Sequence, residues 1–408
     1  MKQTVVLYDN SMNNTGLKLK MPTLVEKIRN EACKFNAHFD QRIQTEQQWA
    51  QQTKLMKQIS ANIQIENNGE TTRSGELSPG CQACKSGKWD CIFLTLSCNL
   101  SCSFCLTPCT LTKASSISAF GNDIHTLIKE YAELKISGIG FSGGEPMLES
   151  KLLIDCLLSI HKANPEAYLW AYTNGLLLTK DIISALAEAG LDELRFNMAA
   201  TGYFHPHILE MLRYAAMRLA AVTVEIPAIP EDKDQLLKAL SVWGRTGVKY
   251  LNLHELIYEP GSPSEKMSGK KENCRMPDGH VCAFNPLSSD LVKYVFEQIE
   301  TAKLPLSVNY CSLQSKAGQI RERRSIMATR TLMPYEIPAG NGEAESMCYF
   351  TDTRYEFAQP WTLPDSDRLF PGSGAARVRR LLPLTPYQEG QWIYFEMIKD
   401  PGGTLQCK

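Results

Sequence analysis

The 408-residue sequence carries almost no net charge, 43 Lys and Arg against 44 Asp and Glu. That balance gives no reason to expect a nucleic-acid polyanion as the main partner, which a basic excess would favour. No run of 18 apolar residues is present, so no transmembrane helix and no membrane partner are expected. The apolar stretch in the opening MKQTVVLYDNSMNN is too short for a secretory signal. No fixed-period repeat is visible. The 14 cysteines are too few for a disulfide scaffold. A cytoplasmic protein, with its thiols kept reduced, is the expectation. The 43% hydrophobic content excludes disorder throughout. The length fits one large domain with additions or two or three small ones.

What the chain does have is a cysteine cluster. Cys81, Cys84, Cys91, Cys98, Cys102, Cys105 and Cys109 fall within 29 residues. In a reducing compartment such a cluster reads as metal or redox chemistry. Residues 1–75 read as a polar N-terminal leader, with a helical cap around Leu55, Ile59 and Ile63 and a linker over 66–80. Residues 76–315 read as the core with its upstream cysteine segment. From Cys91 to about Cys311, strand-like runs such as CIFLTLSCN, ISGIGFSGGEP, AYLWAYTNG, AAVTVEIPAIP and VKYLNLHEL alternate with helical patterns. The helix over 180–189 takes Thr179 as N-cap and Gly190 as its stop. Alternation at this spacing predicts βα units and a parallel sheet with ligands at the carboxyl ends of its strands. Residues 316–408, rich in Pro, Gly, Arg and aromatics, read as a small mixed or β C-terminal extension.

The most specific local signal is Cys98-x3-Cys102-x2-Cys105, in the loop after the first core strand. Three soft thiolates in one loop suit an iron–sulfur cluster and leave one iron of a [4Fe–4S] cube open, as a catalytic cluster needs. Structural zinc is the competing reading, but it takes four ligands in paired knuckles. Gly143-Gly144-Glu145-Pro146 closes the second core strand. Bare glycine backbone lets a ligand approach, and Glu145 offers an acceptor for an ammonium group.

These two motifs, in this order on a βα array, resemble the radical S-adenosylmethionine (SAM) superfamily. The resemblance covers about residues 90–312 and implies a partial (β/α)6-type parallel barrel, the radical SAM core. It implies a [4Fe–4S] cluster on Cys98, Cys102 and Cys105, and SAM held by Phe104, Gly143, Gly144, Glu145, Thr173, Asn174, Asn197 and Glu225. It further implies reductive cleavage of SAM to methionine and a 5′-deoxyadenosyl radical, hydrogen abstraction from a second substrate, and a flavodoxin- or ferredoxin-type reductant. The stretch GCQACKSGKWDCIFLTLSCNLSCSFC, with LNLHEL and NYCSLQSKAGQIRERR, is similar to the branch containing the methanogen protein that methylates an arginine of methyl-coenzyme M reductase. That methylase uses cobalamin. No cobalamin domain or motif is recognisable here, and cobalamin use stays open.

Several readings remain beside these. Cys81-x2-Cys84 is half a metal knuckle that Cys311 would complete as a second, iron or zinc, site, with Cys91, Cys274 and Cys282 as other completions. His254 reads as a satisfied core histidine rather than a ligand, and alternation sets Asn252 and His254 on one face and Glu255 on the other. Arg321, Arg323, Arg324 and Arg330 read as a solvated helix face. No catalytic side chain is singled out. The expected function is modification of a peptide or protein side chain. A radical SAM enzyme acting on a small-molecule intermediate, or a non-catalytic iron–sulfur or zinc protein, is the alternative.

Overall fold

The computed structural model describes residues 45–57, 63–107, 117–118, 124–276, 280–350, 355–358, 374–384 and 391–399. Cys33, Ile59, Cys109, Cys407 and most of the expected leader lie outside them. The described residues form two compact units, one over 47–274 and 281–319, the other mainly from 320 onward.

The larger unit begins with β1 (Gln64–Glu66), β2 (Thr71–Ser74), β3 (Trp89–Thr95) and β4 (Ile117–Ser118). It continues through β5 (Gly138–Gly143), β6 (Tyr168–Thr173), β7 (Glu193–Phe196), β8 (Ala221–Ala228) and β9 (Tyr250–Glu255). An insertion with β10 (Ile257–Tyr258), β11 (Glu272–Arg275) and β12 (Val281–Phe284) precedes β13 (Ser307–Cys311). The main sheet runs β1-β2-β13-β9-β8-β7-β6-β5-β3-β4. Its seven strands from β13 to β3 are all parallel, as the strand–helix alternation requires. Antiparallel β4 covers one edge and β2 the other, so the barrel is open. A partial barrel of six βα units plus a seventh strand is thus the architecture.

Local chemistry places the helices between the strands. The Thr179 hydroxyl accepts from the Ile182 N–H and starts the helix Lys180–Glu188; Gly190, at φ +95°, ends the turn behind it. Pro206 opens Pro206–Arg218, where its missing N–H costs nothing. One face of the sheet, including Leu194, Phe196, Val224, Leu251 and Leu253, is fully buried and apolar. The other face is polar. It carries Glu193 and Arg195 on β7, Glu225 on β8, Asn252 and His254 on β9, and Asn309 on β13.

The stretch expected to be a linker is structured. β2 pairs antiparallel with β13, and Ser78 caps a helix at Pro79–Lys85 with Pro79 in its first turn. An edge strand needs only backbone partners, so a turn-like composition did not prevent pairing. The short helix fills the inner face near the strands' amino ends. A β-carbon on Gly138 would lie 2.6 Å from the Ala83 β-carbon, and one on Gly140 2.5 Å from Trp170 Nε1. Glycines on β5 thus make the room that Trp170 and the helix occupy.

Arg195, 2% exposed, organises this inner face. It pairs with Glu193 and Glu225, each at 2.9 Å, reaches the Tyr172 hydroxyl at 3.3 Å and lies 4.7 Å from the Trp170 ring centre. Burial works against its charge, but Glu193, Tyr172 and Glu225 outweigh that and hold the guanidinium ionised.

The smaller unit takes the helix Leu313–Thr331 from Ile320 on, then β14 (Ile337–Gly340), β15 (Glu343–Phe350), β16 (Tyr355–Ala358), β17 (Gly374–Leu381) and β18 (Gln391–Lys399). These strands form one antiparallel sheet. Buried Arg380 is clamped by Glu336 at 2.6 Å. The solvated arginine face is corrected here: Arg323 and Arg324 are buried, and Arg323 donates to the Leu384 carbonyl at 3.2 Å. Their aliphatic stems pack while the guanidinium finds a backbone acceptor, which a charge count along the sequence does not reveal.

Arg195→Met leaves two buried carboxylates without their cation. It should destabilise the protein by about 3–5 kcal/mol, read as a lowered denaturant midpoint, whereas Lys180→Met at the exposed pair with Glu210 should change it little.

Candidate functional site

The site is built where β3 and β5 end side by side. The Gly144 N–H donates to Thr95 O at 2.7 Å, and the Glu145 N–H to Ser97 O at 2.8 Å. A β-carbon on Gly143 (φ +123°) would lie 2.1 Å from Thr95 O, and one on Gly144 1.9 Å from Ser97 O. Both glycines are therefore demanded by the chain's own backbone. The direction expected to be kept clear for a ligand at Gly144 is filled by the root of the cysteine loop.

Cys98, Cys102 and Cys105 follow within that loop and are all partly buried. Burial, and the neighbouring Cys105 and Cys98, push the Cys102 thiol up to about 11. The Cys105 N–H donates to Cys102 O at 3.2 Å, closing the loop into a turn. The three cysteines line a cavity of about 680 Å³ that is partly open to solvent, a size that suits a cofactor. Among the described residues, no group of three or more His, Cys, Asp or Glu side chains is arranged around a single ion. Three thiols from one loop facing one cavity fit a cube, because each would bind a different iron.

Phe104, Gly143, Gly144, Glu145, Thr173, Asn174 and Asn197 line the same cavity. Glu145 is 1% exposed and its carboxylate is already engaged. It accepts from the Met147 N–H at 3.1 Å, the Thr173 hydroxyl at 2.8 Å and the Asn174 N–H at 2.7 Å. Burial pushes its pKa up to about 7 against the pull of those donors. The side chain expected to meet a ligand's ammonium group thus ties the glycine turn to the end of β6. The Asn174 amide continues the brace, donating to Asn99 Oδ1 in the cysteine loop at 2.7 Å. Asn197 caps a short turn by accepting from the Ala200 N–H.

Phe104 packs on Ile229, Leu256 and Tyr258, which joins the cysteine loop to the exit of β8. Glu225, expected beside these residues, does not line the cavity. It faces the inner network, accepting from Arg195, from Asn252 at 3.0 Å and meeting His254 Nε2 at 2.6 Å. Burial pushes its pKa up, but Arg195 and His254 prevail and hold it at about 2. Asn252 and His254 do share that face, while Glu255 turns away to accept from the Leu313 N–H and the Tyr310 hydroxyl.

Tyr172, which opens the strand-end Tyr-Thr-Asn-Gly segment, also lines the wall beside Arg195. Sequence reasoning missed Gly261–Lys266 in the insertion, whose Ser264 N–H donates to Cys105 O at 3.2 Å. The Gly-Ser-Pro composition there signalled a turn but not its position.

Cys81, Cys84 and Cys311 form a second thiol group. Burial pushes the Cys84 thiol well up, and the nearby Cys81 and Cys311 add to it. Asn252 Nδ2 donates to Cys81 Sγ at 3.4 Å and Gln319 Nε2 to Cys311 Sγ at 3.6 Å. Cys91 lies on β3, where burial raises its thiol. Cys274 and Cys282 instead face one another.

An open parallel barrel with a cysteine loop and a glycine turn at the carboxyl ends of adjacent strands defines a cofactor-binding α/β enzyme. Residues 92–241 match the model of the Radical SAM superfamily, which places a radical SAM domain over that part of the chain. That family binds SAM together with a [4Fe–4S] cluster. The chain is 26% identical over 279 residues to a Methanocaldococcus jannaschii protein named as a glycyl-radical enzyme activating enzyme, covering 65% of this chain and 72% of that one. It is 32% identical over 108 residues to the GTP 3′,8-cyclase of Limosilactobacillus fermentum and 31% over 104 residues to the PqqA peptide cyclase of Bradyrhizobium diazoefficiens. Each match covers 26% of this chain, and it spans only 32% and 26% of those two cyclases.

Gly144→Ala should displace Ser97 and the adjacent Cys98, at a cost of about 1–3 kcal/mol for overpacking. Iron content and SAM affinity should fall together in that variant, measured by elemental analysis and equilibrium dialysis. If iron stays at the wild-type level, the contact does not hold the loop.

Proposed function

We propose that Cys98, Cys102 and Cys105 hold the [4Fe–4S] cluster, that SAM occupies the adjoining cavity, and that the enzyme modifies a peptide or protein side chain by hydrogen abstraction. The carrying observation is that one cavity is lined at once by the three cysteines, the glycine turn and the ends of β6 and β7. The cofactor pair, once bound and reduced by one electron from a flavodoxin- or ferredoxin-type donor, supplies the radical chemistry. The protein's part is positional. Phe104 offers an apolar face for an adenine ring, backed by Ile229. Glu145 keeps the turn in place, and Asn174 fixes it to the cysteine loop. Of the inner network of Arg195, Glu225 and His254, only His254 is accessible, with 27% of its side chain exposed, and it is the member that a second substrate meets. A reducing, cytoplasmic compartment suits the exposed thiol chemistry.

Support for a polypeptide substrate comes from the relatives. A glycyl-radical enzyme activating enzyme and a peptide cyclase both take their names from polypeptide substrates. The likeness to a GTP cyclase favours a second reading, in which the substrate is a small molecule. Cys81, Cys84 and Cys311 are the proposed ligands of a second iron or zinc; they do not surround a single ion as they stand, so binding would draw them together, with Asn252 and Gln319 hydrogen-bonded to two of the sulfurs. Cobalamin use remains outside this proposal.

The anaerobically reconstituted protein should cleave SAM when given dithionite. The Cys98→Ala/Cys102→Ala/Cys105→Ala variant should lose about four irons and all cleavage; unchanged turnover there would overturn the cluster assignment. A Cys81→Ser/Cys84→Ser variant should lose one metal equivalent and melt earlier, yet keep the cluster's absorbance. If wild-type iron is accounted for by one cube and zinc is absent, the second site does not exist.

A further inference from the structure

Cys274 and Cys282 belong to neither thiol group described above. Cys274 lies on β11 and Cys282 on β12, with their sulfurs 3.7 Å apart and the residues only 4% and 3% exposed. The hairpin register accounts for the approach. The Met276 N–H donates to His280 O, and two residues further along each arm Cys274 stands opposite Cys282. Directly opposed residues of antiparallel strands have Cα atoms about 4.5–5.5 Å apart. A disulfide spans about 4.4–6.8 Å between Cα atoms. The pair can therefore close by side-chain rotation.

We propose that Cys274 and Cys282 are a reversible dithiol–disulfide pair that latches the insertion forming one wall of the cavity. β11 is an outer strand of the three-stranded sheet β10-β12-β11, with β12 as its one strand partner and a single further hydrogen bond from the Arg275 N–H to the Thr45 hydroxyl at 3.4 Å. The segment leading into β11 carries Ser264, which donates to Cys105 O, and Met267, which packs with Phe104 against Tyr258. On the far side of β12, β10 carries that same Tyr258. A covalent tie between β11 and β12 thus fastens both ends of the wall behind the cysteine loop. An outer strand paired with one other strand opens more readily than a central one, and the tie opposes that opening.

The oxidant is a low-molecular-weight disulfide. One thiolate attacks it and displaces a thiol, and the second cysteine resolves the mixed disulfide. The pair gives up two protons and two electrons, and the oxidant becomes two thiols. The hydrogen bond between the two thiols, and then burial, hold Cys274 protonated, so reaction waits on opening of β11. The inference concerns the insertion alone and does not rest on the choice of substrate.

The test is anaerobic treatment of the reconstituted protein with oxidised glutathione, then peptide mapping with differential alkylation and hydrogen–deuterium exchange. The expected result is a Cys274–Cys282 linkage that dithiothreitol reverses, with cluster absorbance retained. Amides over 257–275 should exchange at least about threefold more slowly once linked. The C274S/C282S variant should bind cluster normally, form no linkage and keep the faster exchange. Recovery of both cysteines as alkylated thiols after treatment would overturn the proposal. So would a linkage that leaves the exchange of 257–275 unchanged.

Discussion

The close approach of two backbone segments, Thr95–Ser97 and Gly143–Glu145, is the constraint on which the site depends. Two hydrogen bonds join them, and no side chain fits between them. Three ligands in a loop make a catalytic centre only if the loop has one conformation relative to the surface beneath it. Here the loop's root is fixed to β5, its Asn99 to Asn174 and its far end, at Cys105, to the insertion. Glu145 completes the arrangement by gathering three donors from two strands' ends. A carboxylate so fully engaged, with burial opposing its charge, braces the turn against the end of β6.

The inner face follows a different logic. Most α/β sheets bury apolar side chains on both faces. Here the face away from the helices carries a chain of charges and amides from Glu193 through Arg195 and Glu225 to His254. Such a network is expensive unless every member is satisfied, and its core contacts are short and mutual. His254, with 27% of its side chain accessible, is the most open member of the network.

Much of the scaffold was legible because it is local. The Thr179 cap, the Pro206 start and the alternation of apolar positions each act within a few residues, so the strand–helix order could be read directly. The cysteine loop and glycine turn were legible for the same reason. Seven of the eight residues expected around SAM line one cavity; the exception, Glu225, lies on a strand whose alternation turns it to the inner network. What could not be read depends on distance along the chain. Glu145 and its partners Thr173 and Asn174 are 28 and 29 residues apart. The helix Pro79–Lys85 is seven residues of ordinary turn composition, and its place is set by glycines on β5 more than 50 residues away. Burial of Arg323 and Arg324 likewise depends on the later strands that surround them.

The helix under the inner face has a consequence for depth. Gly80 sits against Arg195, Trp170 and Glu193, so the barrel is stoppered at the strands' amino ends. Among the described residues, the helix thus closes the inner face at one end of the strands, opposite the rim where the cysteine loop and the glycine turn line the cavity. A plugged floor of this kind sets the cavity's depth, because whatever occupies it is held toward the rim.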